Sequence, residues 1–100
     1  MSNLVARMDK WLYPIYSEKN WDDTILRDRI LKILRRGDVM LDLGAGAGII
    51  RQMNFRGLAG RVCGIDLDPR ILTQNCYLDE ALQGSAEVIP YPSDTFDFVI

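Results

Sequence analysis

Apolar positions follow a helical period from about residue 22. Ile25, Leu26, Ile30, Ile33 and Leu34 fall on one face, with Arg27, Asp28, Lys32 and Arg35 on the polar side. Asp22 or Asp23 is placed to cap the helix start. Arg35 and Arg36 suit its negative end, and Gly37 is a natural stop. The pattern then changes. Val39-Met40-Leu41-Asp42-Leu43 is a short apolar run without clean alternation, as expected of a strand buried on both faces of a parallel sheet. Ile49 to Phe55 has helical spacing, closed by Gly57-Leu58-Ala59-Gly60. Arg61 to Asp66 reads as a second strand. Pro69 opens a further helix at its first turn, with Asp68 as cap, and this helix carries Ile71, Leu72 and Asn75 before fading near Tyr77. Ala81-Leu82-Gln83 is a short third strand, Tyr91 to Asp94 a turn, and Phe96 to Ile100 a fourth strand. Strands alternating with helices predict an α/β domain: a Rossmann-like parallel sheet with flanking helices and right-handed crossovers.

Ahead of these elements stand Trp11, Tyr13, Tyr16 and Trp21 around Pro14, which argues against one continuous helix there. Residues 1–24 read as an aromatic cap segment, and residues 25–100 as the α/β domain. A chain of 100 residues, 48% hydrophobic and 26% charged, has room for one small domain and excludes collagenous or wholly disordered classes. All twelve Lys and Arg lie within residues 1–70, against nine acids, while residues 71–100 hold five acids and no base. The bases are interspersed with acids, as in Arg27-Asp28-Arg29, so they read as solvated faces, and no nucleic-acid partner is expected. With no His, Cys63 and Cys76 do not complete a zinc set and read as buried or free thiols. No apolar run approaches the ~18–20 residues of a membrane span, and Met1–Lys10 lacks the apolar core of a secretory signal. Cytoplasmic residence is the expectation.

Three segments carry candidate chemistry. The first is Asp42-Leu43-Gly44-Ala45-Gly46-Ala47-Gly48, between a strand and a helix. Alternate glycines allow positive φ and close approach to the backbone, and such a loop is expected to face its amides to a ligand. A dinucleotide fingerprint would need glycine where Ile49 stands, and a phosphate loop would need a following Lys. Asp42 beside the loop would repel a pyrophosphate and suits an ammonium or sulfonium. The second segment is Gly64-Ile65-Asp66-Leu67-Asp68. An acid at the end of the neighbouring strand can accept from both hydroxyls of a ribose, and capping by Asp68 would leave Asp66 free to do so. The third is Gly84-Ser85-Ala86-Glu87-Val88-Ile89-Pro90-Tyr91-Pro92-Ser93-Asp94-Thr95-Phe96-Asp97, which taken alone is a polar loop leading into a strand.

In order and spacing, these segments resemble class I S-adenosylmethionine-dependent methyltransferases, in particular the type-11 methyltransferase family, over residues 25–100. The resemblance implies that Asp42 holds the methionyl amine and that Gly44, Ala45 and Gly46 line the methionyl moiety. It implies that Asp66 takes the ribose hydroxyls and that Leu67 packs on adenine. Ser85, where many relatives carry Asp, would accept from the adenine amine, supported by the Ala86 amide. Glu87 matches a family acid to which no catalytic role is given. The cofactor implied is S-adenosylmethionine. The reaction is displacement of its methyl from sulfur by an acceptor, expected to be a small molecule, and no catalytic side chain is assigned.

The family sheet has seven strands ordered 3-2-1-4-5-7-6, of which this chain supplies the first four. The expectation is therefore a cofactor-binding part of a longer enzyme, in which a further segment or a partner chain covers the open edge of strand four. The alternatives are a nucleotide-binding oxidoreductase domain and a non-catalytic scaffold with a degenerate pocket.

Overall fold

A computed structural model describes residues 21–100. Trp11, Tyr13, Pro14 and Tyr16 of the expected aromatic cap lie outside the described residues. The chain divides into two compact units between Ile33 and Leu34. Helix α1, Trp21–Ile33, falls within the first unit.

Asp22 and Asp23 occupy the first turn of α1 and Lys32 the last, as the helix dipole favours. The expected single apolar face is only partly buried. Ile30 is buried, but Leu26 is 44% exposed and Ile33 64%. The helix also stops before Gly37. The Arg35 N–H, which would continue the helix by donating to Leu31, donates instead to Asp38 Oδ2 at 2.8 Å, and Asp38 N–H returns to the Arg35 carbonyl at 3.0 Å. A side-chain acceptor three residues on has replaced the next helical bond.

The second unit is a four-stranded sheet built from β1 (Val39–Leu43), β2 (Arg61–Asp66), β3 (Glu80–Gln83) and β4 (Phe98–Val99). The strand order is β3-β2-β1-β4, and all pairings are parallel. Adjacent residues Met40 and Leu41 point to opposite faces, and both are buried, which accounts for the lack of alternation. One face gathers Leu41, Cys63 and Ile65 beneath Leu43, Leu82, Tyr91 and Phe96, with the Tyr91 and Phe96 rings edge-on at 4.8 Å. Val62, Phe55 and Ile71 are buried as well.

The two crossover helices are much shorter than their spacing predicts. Of Ile49–Phe55, only Arg51–Met53 is helical, as one 3₁₀ turn between extended Ile50 and Asn54. Asn54 Oδ1 accepts the Arg56 N–H at 3.1 Å, starting the turn that leaves Phe55 buried. The second crossover helix, α2, covers only Arg70–Thr73. It does not reach Tyr77, because the Asn75 side chain accepts the Tyr77 N–H at 2.9 Å. The fourth strand is shorter than Phe96–Ile100: Phe96 turns into the aromatic contact, although Ile100 still exchanges backbone bonds with Leu41 and Leu43 at 2.9 Å.

Carboxylates pin the amino-terminal edge of the sheet. Val39 N–H donates to Asp97 Oδ2 at 2.9 Å, and Asp97 N–H returns to the Val39 carbonyl at 2.9 Å. Val62 and Asp79 repeat this exchange at 2.8 and 2.7 Å, with Arg56 paired to the other Asp79 oxygen at 3.1 Å. Arg61 and Glu80 form a further ion pair between β2 and β3. Among the described residues, no helix is long and apolar enough to cross a membrane.

Candidate functional site

The glycine loop leaves the carboxyl end of β1, and Asp66 ends β2 beside it. Gly44, Gly46 and Gly48 have φ of 73°, 64° and 71°, the left-handed region that side chains disfavour. This geometry corrects one expectation. The amides of Gly44, Ala45 and Gly46 are turned to the protein: Gly44 and Ala45 N–H donate to the Ile65 carbonyl at 2.8 and 3.3 Å, and Gly46 N–H donates to Asp66 Oδ2 at 2.9 Å. The loop therefore offers a ligand close approach more than hydrogen bonds. A Cβ on Gly44 would meet nothing within 4 Å, and one on Gly46 only Asp66 Oδ2 at 3.9 Å.

The glycines are not equivalent. A Cβ on Gly48 would lie 2.6 Å from Asn75 Oδ1 and 3.1 Å from Asn75 Cα, so the third glycine makes room for a protein side chain. Asn75 fills that slot. Its Nδ2 donates to the Gly46 carbonyl at 3.0 Å and to the Ala45 carbonyl at 3.3 Å. Sequence reading placed Asn75 on a helix and missed this role, since the contact spans about thirty residues. The one local signal was Asn itself, a residue that forms turns more readily than it continues helices.

Asp66 is not left unengaged by Asp68. Its Oδ1 accepts the Asp68 N–H at 2.8 Å while Oδ2 holds Gly46. Each carboxylate oxygen can accept more than one bond, so capacity remains for a ligand hydroxyl. Asp68 does serve the start of α2, accepting the Arg70 N–H at 3.0 Å and pairing with the Arg70 guanidinium at 2.6 Å. That contact holds the exposed Asp68 carboxyl below its usual range.

Two cavities share Gly44. One of about 160 Å³ is lined by Gly44, Ile65, Asp66, Leu67, Gly84 and Ala86. Leu67 is 70% exposed there, an apolar surface open to a planar group. The other, of about 390 Å³, lies between Asp42, the loop from Gly44 to Gly48, Met53, Arg70, Asn75 and Tyr77. Ser85 lines neither cavity, and its hydroxyl accepts the Glu87 N–H at 3.1 Å within its own turn. Gly84 N–H donates to the Asp66 carbonyl at 2.9 Å, which fixes this segment against the end of β2.

Burial, with Asp66 nearby as a second negative charge, raises the Asp42 carboxyl from 3.8 to about 6. None of the described residues donates to it. Two mutually repelling carboxylates, one in each of two adjoining cavities, are an arrangement suited to a cationic ligand.

A parallel sheet of order 3-2-1-4, with a glycine loop after the first strand and an acid ending the second, is a Rossmann-like core of the kind expected for a class I methyltransferase. Comparison with known proteins agrees. Residues 41–100 match the family described as methyltransferase domain. Ribosomal protein L11 methyltransferase of Thermus thermophilus is 35% identical over 74 residues, a match covering 67% of this chain and 28% of that protein. The crystal structure of the YcgJ protein from Bacillus subtilis superposes with a TM-score of 0.58 at 25% identity, covering 73% of this chain and 35% of that one. The chain belongs to the methyltransferase domain family. It spans about a third or less of the length of these two relatives.

Proposed function

We propose that this chain is the cofactor-binding part of an S-adenosylmethionine-dependent methyltransferase acting on a small-molecule acceptor. The observation that carries the reading is the convergence of Asp42 and Asp66 on a positive-φ glycine loop where Gly44 joins two cavities. The donor set fits the cofactor. The smaller cavity offers apolar Leu67 for a base and the Asp66 carboxylate for ribose hydroxyls. The larger offers Asp42 for an ammonium, and open space at Gly44 and Gly46 for the chain that joins the two ends. When bound, S-adenosylmethionine supplies a methyl group on a positively charged sulfur.

The residues of this chain bind and orient. Ionised Asp42 and Asp66 favour a positive ligand over a pyrophosphate. The internally bonded loop presents its shape without rearranging, and such positioning lowers the barrier to displacement at the methyl. Ser85 is assigned a supporting place: its turn holds Ala86 against the smaller cavity. In the same reading, a further strand covers the outer edge of β4, where Val99 is 53% exposed.

Calorimetric titration with S-adenosylhomocysteine tests the proposal, with circular dichroism on the same sample to establish folding. Saturable binding by the folded chain, with none for NAD, is the expected result. A folded chain that binds no S-adenosylhomocysteine would overturn it.

A further inference from the structure

We propose that Asn75 is the positioning residue of the glycine loop and sets affinity for the amino-acid end of the ligand, separately from the nucleoside end. This rests on the function proposed above. The peptide units around Gly46 are held from both sides. The N–H of Gly46 goes to Asp66 Oδ2 at 2.9 Å, and its carbonyl receives Asn75 Nδ2 at 3.0 Å. The second Nδ2 proton reaches the Ala45 carbonyl at 3.3 Å. The orientation of the amide is also set, because its Oδ1 accepts the Tyr77 N–H at 2.9 Å. An amide pinned at its oxygen can present only its nitrogen to the loop.

The glycine pattern supports the same assignment. Gly48 lies against Asn75 so closely that a methyl group would overlap the amide, and its φ of 71° already excludes most other residues. Gly48 and Asn75 thus act as slot and insert.

The two cavities make the role separable. Asn75 lines the cavity that contains Asp42, and it is absent from the lining of the cavity formed by Asp66, Leu67, Gly84 and Ala86. Losing its bonds loosens the Ala45-Gly46 carbonyls beside the first cavity, while Gly44 N–H and Asp66 keep the second in place.

The test compares Asn75→Ala and Asn75→Leu, which is close to Asn in size but donates no hydrogen bond, with wild type, using S-adenosylhomocysteine and adenosine as probes. S-adenosylhomocysteine affinity should fall roughly tenfold in both variants, because a loop released from Asn75 has to be re-ordered when the ligand binds. Adenosine affinity should change by less than about twofold on the same scale. Equal losses for both probes would mean a merely structural residue, and no loss for either would mean no role; each result overturns the proposal. Wild type that binds neither probe overturns the functional reading itself. Should the variants not fold, NMR of wild type still decides. The Asn75 side-chain protons should exchange slowly with solvent and shift on adding S-adenosylhomocysteine but not adenosine. Fast exchange, or equal response to both, refutes the proposal.

Discussion

Replacing Asp42 by Asn should make the folded chain more stable and, at the same time, a poorer ligand binder. The carboxyl is raised from 3.8 to about 6, first by burial and second by Asp66. A carboxyl that holds its proton more tightly when folded adds stability that is complete below about pH 3.8 and lost as pH rises through about 6. By the usual conversion the whole displacement is worth about 3 kcal/mol, and partial hydration of the side chain reduces this to about 2 kcal/mol. Asn keeps the shape without the charge. Asp42→Asn should therefore be about 2 kcal/mol more stable than wild type at pH 7.5, a rise in Tm of roughly 10 °C for a domain of this size, and nearly equal to it at pH 4. The chain contains no His, so no imidazole titrates in this window. Urea unfolding followed by circular dichroism at several pH values measures the gap, and calorimetry on the same samples measures S-adenosylhomocysteine binding. Wild-type affinity should rise up to about tenfold between pH 5 and 7 as Asp42 ionises, whereas that of the variant should be weaker and flat. A stability gap independent of pH would refute the assignment of cost to the buried charge. Undiminished affinity in Asp42→Asn would refute its role toward a cation.

Asp66→Ala removes the acceptor for both Gly46 and Asp68 N–H; it should cost about 2 kcal/mol in urea unfolding and abolish detectable S-adenosylhomocysteine binding. Gly64→Ala places a methyl 2.4 Å from Leu78 Cδ1 and 3.1 Å from Ala45 Cβ, so a loss of about 1–3 kcal/mol is expected. The loss should shrink when Leu78 is also made Ala, as a double-mutant cycle would reveal. Asp97→Ala unpins the start of β1 and should destabilise by about 1 kcal/mol without changing ligand affinity; a change in affinity larger than the change in stability would contradict a purely architectural role.

The strands were legible because they depend on local signals. An apolar run ending in alternate glycines, a second run ending in Asp66, and Pro69 after it all mark points where the backbone changes course. The helices were less so. Spacing at Ile49–Phe55 and after Pro69 is helical, yet Asn54 and Asn75 each offer a side-chain acceptor to a nearby N–H, and those local bonds outcompete the next helical turn. The loop amides were misread for another reason. Their partners, the Ile65 carbonyl and the Asp66 carboxylate, lie about twenty residues away and come within reach only once β1 and β2 pair.

The acids of this sheet do two kinds of work at two opposite edges. Asp79 and Asp97 tie strands together at the amino-terminal edge, whereas Asp42 and Asp66 stand at the carboxyl ends, where the cavities open. Mutational change can therefore proceed at one edge with little effect on the other. A lineage, or a designer, can revise the charge that greets a ligand without disturbing the register of the strands beneath it.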